Sequence, residues 1–310
     1  MTEKYKAINW NKIENRLDYS AWSRLNDFIW EPERVPVSND KQEFDKLDAS
    51  VKETFLKAFA ALTLLSTVQV KTGNEAVKKD AATPQEYSVF TALTYLEAIA
   101  NKGYGYVVGT LASPLHVNDY FDWAENNSAL QAIIQKYLDI YENGTRWQKK
   151  IALSFMEMSI YHTGFYAPLF IFGNGELSRS TEIVKLAIRT TSFNAMYPGV
   201  KFRLEKDNLP EDEQKKIEPW LNNFVKEMTD IMDAFIKDFY KEVGWSEDAL
   251  NYFHYTISKN FMNLGYPTPY PDDIMHSLSD VIQDGVIKSA NFEDFFYYSN
   301  RNALTRLDNE

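Results

Sequence analysis

The chain has 310 residues, 45% of them hydrophobic and 25% charged, with a formal net charge of −11 and no cysteine. That composition is that of a globular protein large enough to bury a substantial core. The acidic balance argues against nucleic-acid backbone binding, which needs a basic footprint. The missing cysteines exclude disulfides, thiolate metal sites and cysteine nucleophiles. No long uncharged apolar run suggests a membrane span. Met1-Thr2-Glu3-Lys4-Tyr5-Lys6 lacks an apolar signal region, which predicts a cytoplasmic protein.

The chain punctuates itself into long helices. Ser50-Val51-Lys52-Glu53 has the spacing of a capping box, and the helix after it places Phe55, Phe59, Leu62, Leu65 and Gln69 on one face, with Gly73 as the stop. Thr83-Pro84-Gln85-Glu86 is a second capping box, with Pro at the first helical position, opening a helix to about Leu111. Further helices are predicted from Ser128 to Asn143-Gly144, from Arg146 to Phe172, and from Ser178 or Ser180 through Asn194, where Pro198 should kink or interrupt the last. The stretch Arg146 to Phe172 is too hydrophobic all round to lie on a surface. A helix from Pro210 to Lys241, bent at Pro219, and another from Ser246 to Gly265 complete the pattern. No strand-type alternation is sustained and no linker divides the chain. The predicted fold class is all-α, with residues 1–310 as one domain.

Six residues stand out by their family pattern. Tyr95-Leu96-Glu97-Ala98-Ile99-Ala100-Asn101-Lys102-Gly103-Tyr104 resembles the Glu-x-x-His-x-Lys-x-Tyr segment of ribonucleotide reductase small subunits, with Ala100 at the histidine position. Ile8-Asn9-Trp10-Asn11, Trp30-Glu31-Pro32-Glu33-Arg34-Val35-Pro36, Leu62-Thr63-Leu64-Leu65, Gly164-Phe165-Tyr166 and Met262-Asn263-Leu264-Gly265-Tyr266 carry the same resemblance, of class Ib type, over about residues 1–296. Residues 297–310 form a divergent tail. The resemblance implies a ferritin-like helical bundle in which carboxylates from two helices and a Glu-x-x-His pair from each of two others hold a metal pair. Its ligand positions fall on Ser66, Glu97, Ala100, Glu157, Thr191 and Asn194, so two carboxylates remain and both histidines are gone. Since Ser, Ala, Thr and Asn replace the usual ligands poorly, the expectation is no cofactor, with di-iron and di-manganese both disfavoured. None of the four histidines stands at a ligand position, and His162, five residues past Glu157, reads as a core histidine.

The resemblance also assigns roles. Tyr104 matches the radical tyrosine and Trp30 the tryptophan of the radical relay; the relay aspartate is placed near Lys241. The partners it implies are a large catalytic subunit, a second small subunit as homodimer or heterodimer, and a flavodoxin-like activator. Tyr297 and Tyr298 are the only tail aromatics that could stand in for the family's docking anchor. Three readings follow: a reductase small subunit with a metal-free radical on Tyr104, a non-catalytic paralogue acting as structural or regulatory partner, and a metal-dependent oxidase, the last weakened most by the ligand losses. If Glu97 and Glu157 meet without a cation, one should hold a proton, or else pair with a lysine such as Lys102.

Overall fold

The computed structural model describes residues 7–271 and 278–289, and every regular element among them is helical. The helices are α1 (Arg16–Leu25), α2 (Lys41–Phe44), α3 (Ala49–Val68), α4 (Asn74–Lys79), α5 (Pro84–Leu111), α6 (Val117–Asn126), α7 (Ser128–Asn143), α8 (Arg146–Phe155), α9 (Tyr161–Gly173), α10 (Ser178–Lys206), α11 (Glu211–Phe239), α12 (Ser246–Leu264) and α13 (Asp280–Ser289). Short 3-10 turns join α1 to α2. Two π-helical segments, Gln69–Gly73 and Met156–Ile160, fuse α3 to α4 and α8 to α9.

Local chemistry explains most boundaries. Thr83 Oγ1 accepts the Glu86 N–H at 2.9 Å, while the Glu86 carboxylate turns back to the Ala82 N–H at 2.8 Å, one residue short of a standard capping box. Thr145 and Gln148 form the full reciprocal box at the start of α8. Gly265 closes α12 in the left-handed region at φ 76°. The predicted box at Ser50 is not formed: α3 starts at Ala49 after Asp48, and no side chain caps it.

Three other expectations are corrected. Gly73 does not stop α3, because the chain continues through the π-helical segment into α4. Its lack of a side chain serves packing, since a Cβ there would sit 2.0 Å from Gln69 Oε1. Pro198 and Pro219 do not interrupt their helices, which run unbroken over 29 residues each. Tertiary packing along both helices offsets the lost backbone bond, a penalty of about 3 kcal/mol. The short amphipathic helices α1 and α6 went unread because α1 is polar on average and α6 follows a proline break.

Four rods surround the centre: α3, α5, the fused α8–α9, and α10. The first packs on α5 and α9, while α10 packs on α5, α8 and α9. A large apolar cluster fills the space between them, with Phe55, Phe59, Tyr104, Phe155, Tyr161 and Phe165 all fully enclosed. Helices α7 and α12 close the flanks, bringing Tyr137 and Tyr141 inward.

A second buried feature ties α1, α5, α8 and α10 together. Asp18 accepts from Lys201 at 3.0 Å, Tyr197 at 2.7 Å and Thr83 at 2.7 Å. Glu86 lies 3.3 Å from both Lys150 and Lys201, and Lys150 also meets Glu205 at 2.7 Å. Burial raises the Glu86 carboxyl, but the charges of Lys150 and Lys201 outweigh it and hold it below the usual range. The cluster uses these lysines fully, which leaves the centre of the bundle without them.

Candidate functional site

All six positions singled out in the sequence, Ser66, Glu97, Ala100, Glu157, Thr191 and Asn194, are fully buried. They come from the four central rods: Ser66 from α3, Glu97 and Ala100 from α5, Glu157 from the π-helical segment, Thr191 and Asn194 from α10. Glu157 sits where the helix widens, and π-helical turns recur at functional sites because they re-aim one side chain.

The two carboxylates are built alike. Glu97 Oε1 accepts the Tyr161 hydroxyl at 2.8 Å, and Glu97 Oε2 has no partner. Glu157 Oε1 accepts Asn194 Nδ2 at 2.7 Å and Gln69 Nε2 at 3.4 Å, and Glu157 Oε2 again has none. Gln69 is itself oriented by Tyr141, whose hydroxyl donates to Gln69 Oε1 at 2.7 Å. Burial pushes the Glu97 carboxyl up to about 7 against the pull of the Tyr161 hydrogen bond. Burial, and then the charge of Glu97, push Glu157 well above the carboxylate range. The pair therefore favours holding a proton at neutral pH.

Ser66 and Thr191 contribute little to the centre. Ser66 Oγ donates to Thr63 O at 3.2 Å and accepts Asn101 Nδ2 at 2.6 Å, and Thr191 Oγ1 donates to Ile188 O at 3.3 Å. Ala100 is core. Lys102 does not reach the carboxylates: it is exposed and paired with Glu33, so the lysine-pairing alternative is corrected. His162 is the core histidine expected, its Nδ1 2.7 Å from Tyr252 Oη, with burial lowering its pKa to about 3 and keeping it neutral.

Tyr104 lies about two turns beyond Glu97 on the same rod, fully enclosed between Phe59 and Phe165. Its hydroxyl has no hydrogen-bond partner. Burial raises its pKa, and the charges of Glu97 and Glu157 raise it further, so it stays a neutral phenol. Trp30 packs on the same helix, and its ring explains Gly103: a Cβ there would lie 2.6 Å from Trp30 Cη2. Trp30 Nε1 is buried without an acceptor. The aspartate position assigned near Lys241 is corrected, since Lys241 is exposed just past α11, a helix that packs on α7 and α12. Tyr297, Tyr298 and His276 lie outside the described residues.

Sequence reasoning missed four contributors: Gln69, Tyr141, Tyr161 and Asn101. Gln69 had a visible signal, a polar residue in an otherwise apolar helix stripe. Tyr161 and Asn101 stand four residues past Glu157 and Glu97, the spacing that shares a helix face. Nothing local marked Tyr141.

This arrangement, paired carboxylates inside a four-rod helical core, defines a ferritin-like carboxylate protein. The model of the ribonucleotide reductase small chain matches residues 7–277, and the chain belongs to that family. The beta subunit nrdF2 of Mycobacterium tuberculosis ribonucleoside-diphosphate reductase is 30% identical over 273 residues, covering 88% of this chain and 84% of that one. The beta subunit of Escherichia coli ribonucleoside-diphosphate reductase 2 is 29% identical, covering 87% and 85%. The crystal structure of Streptococcus sanguinis dimanganese(II)-NrdF superposes with a TM-score of 0.88 at 35% identity, covering 91% of this chain and 100% of that one.

The Streptococcus structure corrects the expectation of no cofactor. A chain of the same fold and 35% identity is a dimanganese protein, so metal is at home in this architecture. The donors differ here. A transition-metal pair draws on several carboxylates and imidazoles, and this site offers two carboxylates, the amides of Asn194 and Gln69, and no histidine. Among the described residues no group of three or more His, Cys, Asp or Glu is placed to hold a metal ion. This donor set does not fit a pair.

Proposed function

We propose that the chain serves as the small subunit of a ribonucleoside-diphosphate reductase, with a large catalytic subunit as its partner and Tyr104 as the residue that carries the oxidising equivalent. Family membership supports the context, since the relatives of matching length are beta subunits of that enzyme. The observation that carries the role of Tyr104 is its enclosure: a phenol with no solvent contact and no hydrogen-bond partner, walled by Phe59 and Phe165. Such a wall excludes water and the reductants dissolved in it from an oxidised ring. When an oxidant delivered from outside the bundle takes one electron from the phenol, its proton must leave too, and the carboxylates whose charge Tyr104 feels are Glu97 and Glu157.

The experiment is Tyr104→Phe, assayed for ribonucleotide reduction with the cognate large subunit. Phe fills nearly the same volume, and the lost hydroxyl strands no partner, so the fold should stand. Loss of activity with an unchanged melting curve supports the role.

A second reading is a non-catalytic partner of a competent small subunit. It is favoured by Trp30, whose Nε1 finds no acceptor where a relay would need one. Activity seen only when a second small subunit is added, and indifferent to Tyr104→Phe, would select it over the first.

A further inference from the structure

We infer that Trp245, Tyr166, Tyr252 and His162 form a chain of rings that conducts an oxidising equivalent from the protein surface to Tyr104. The inference rests on the reading of Tyr104 as the oxidised residue and supplies its entry route. The wall of Phe59 and Phe165 that shields the phenol from dissolved reductants shields it equally from a dissolved oxidant. The donor set beside it does not suit an internal metal pair, which leaves the protein itself as the conductor.

The rings are in unbroken contact. Between centroids, Tyr104 lies 6.1 Å from Phe165, Phe165 5.3 Å from His162, and His162 5.7 Å from Tyr252. Tyr252 lies 6.0 Å from Tyr166, and Tyr166 6.3 Å from Trp245. Each step falls within the range of a direct aromatic pair. Tyr104, Phe165, Tyr252 and Tyr166 are buried, whereas Trp245 is half-buried and meets solvent. The chain of rings that leaves Tyr104 through Phe59, Phe55 and Phe44 holds only phenylalanine, which is too hard to oxidise to take part.

Protons select the route among these rings. An oxidised phenol is a strong acid, so it needs a base already within hydrogen-bond reach. Tyr166 donates to Asp248 Oδ2 at 2.8 Å, and Tyr252 Oη lies 2.7 Å from His162 Nδ1. Burial keeps His162 neutral, and with the ring proton on Nε2 its Nδ1 accepts from Tyr252. Tyr240 touches Tyr166 at 5.1 Å but donates to the Thr163 carbonyl, a poor base, and so lies off the route. A one-electron oxidant at the surface first takes an electron from Trp245. Tyr166 reduces Trp245 and passes its proton to Asp248. Tyr252 then reduces Tyr166, which recovers that proton, and passes its own to His162. Last, Tyr104 gives an electron across Phe165 to Tyr252, which recovers its proton from His162. The net change is one electron to the oxidant and one proton from Tyr104 to the carboxyls whose charge it feels, Glu97 and Glu157.

The chain has no cysteine, so Glu242→Cys, an exposed position close to Trp245 in sequence, gives a single attachment point for a ruthenium polypyridyl. A flash with an electron-accepting quencher makes the ruthenium(III) oxidant there, and electron paramagnetic resonance of the frozen sample reads the tyrosyl signal. The expected signal in the labelled full chain is one tyrosyl radical that Tyr104→Phe removes. Tyr252→Phe and Tyr166→Phe keep the ring and remove only its hydroxyl, and each should lower the Tyr104 yield at least tenfold. Trp245→Phe should do the same, so the test does not hang on one variant, and melting curves confirm that the fold is intact. Trp220→Phe, off the route, should match the labelled parent. A Tyr104 yield unchanged in both Tyr252→Phe and Tyr166→Phe overturns the route and leaves the role of Tyr104 standing. The absence of any tyrosyl signal in the labelled parent also overturns the route. A signal that survives Tyr104→Phe overturns the route and the role of Tyr104 together.

Discussion

Replacing Glu97 by Gln should make stability less sensitive to pH, and by an amount the structure supplies. In chelator-treated protein, the Glu97 carboxyl is raised from 4.5 to about 7, chiefly by burial. Between those values the folded chain keeps a proton that the unfolded chain has released. Stability therefore holds below pH 4.5, falls as pH rises toward 7, and levels off for this group above it. At 1.36 kcal/mol per pH unit, the loss is about 3 kcal/mol. Gln keeps the shape, still accepts the Tyr161 hydroxyl, and can turn its amide N–H to the bare Glu157 Oε2. It also removes the negative charge that raises Glu157, which adds to the effect in the same direction. Urea unfolding of parent and variant at pH 5 and pH 7.5 measures the change. The variant should be close to the parent at the lower pH and gain about 2–3 kcal/mol on it at the higher. Infrared difference spectra at neutral pH should show a protonated carboxyl in the parent. An equal stability difference at both pH values, with no such band, would refute the reasoning.

Other consequences are equally direct. Gly103→Ala places a methyl 2.6 Å from the Trp30 ring and should cost about 1–3 kcal/mol, with a shifted tryptophan emission as the ring moves. Gly73→Ala collides with Gln69 Oε1 and should free Glu157 from one donor, read as a further rise of its carboxyl in infrared titration. Lys201→Met strips Asp18 of its buried cation and should cost about 3–5 kcal/mol in urea unfolding, because a stranded charge is worse than a missing pair. A smaller loss, under about 1 kcal/mol, would mean water enters that cluster.

What the sequence determined on its own was the long helices, and the six positions that the fold buries on the four central rods. Periodic apolar residues, Thr83 with Pro84, and Gly265 are local signals, and local backbone geometry answers to them. Glu97 and Glu157 were legible through the resemblance to ribonucleotide reductase small subunits, whose ligand positions fall on them. The tertiary structure decided everything that depends on partners distant in the chain. Tyr141 reaches Gln69 and Gln69 reaches Glu157 across 72 and 88 residues, and no local pattern encodes such pairs. Proline tolerance in α10 and α11 was likewise a matter of packing, which outweighs a single lost backbone bond. Lys102 was a plausible neighbour of Glu97 by sequence distance. Its helix face points it outward to Glu33, so proximity along the chain did not become proximity in space. The bare oxygens of the carboxyl pair, which decide what this site can hold, exist only once four rods are brought together.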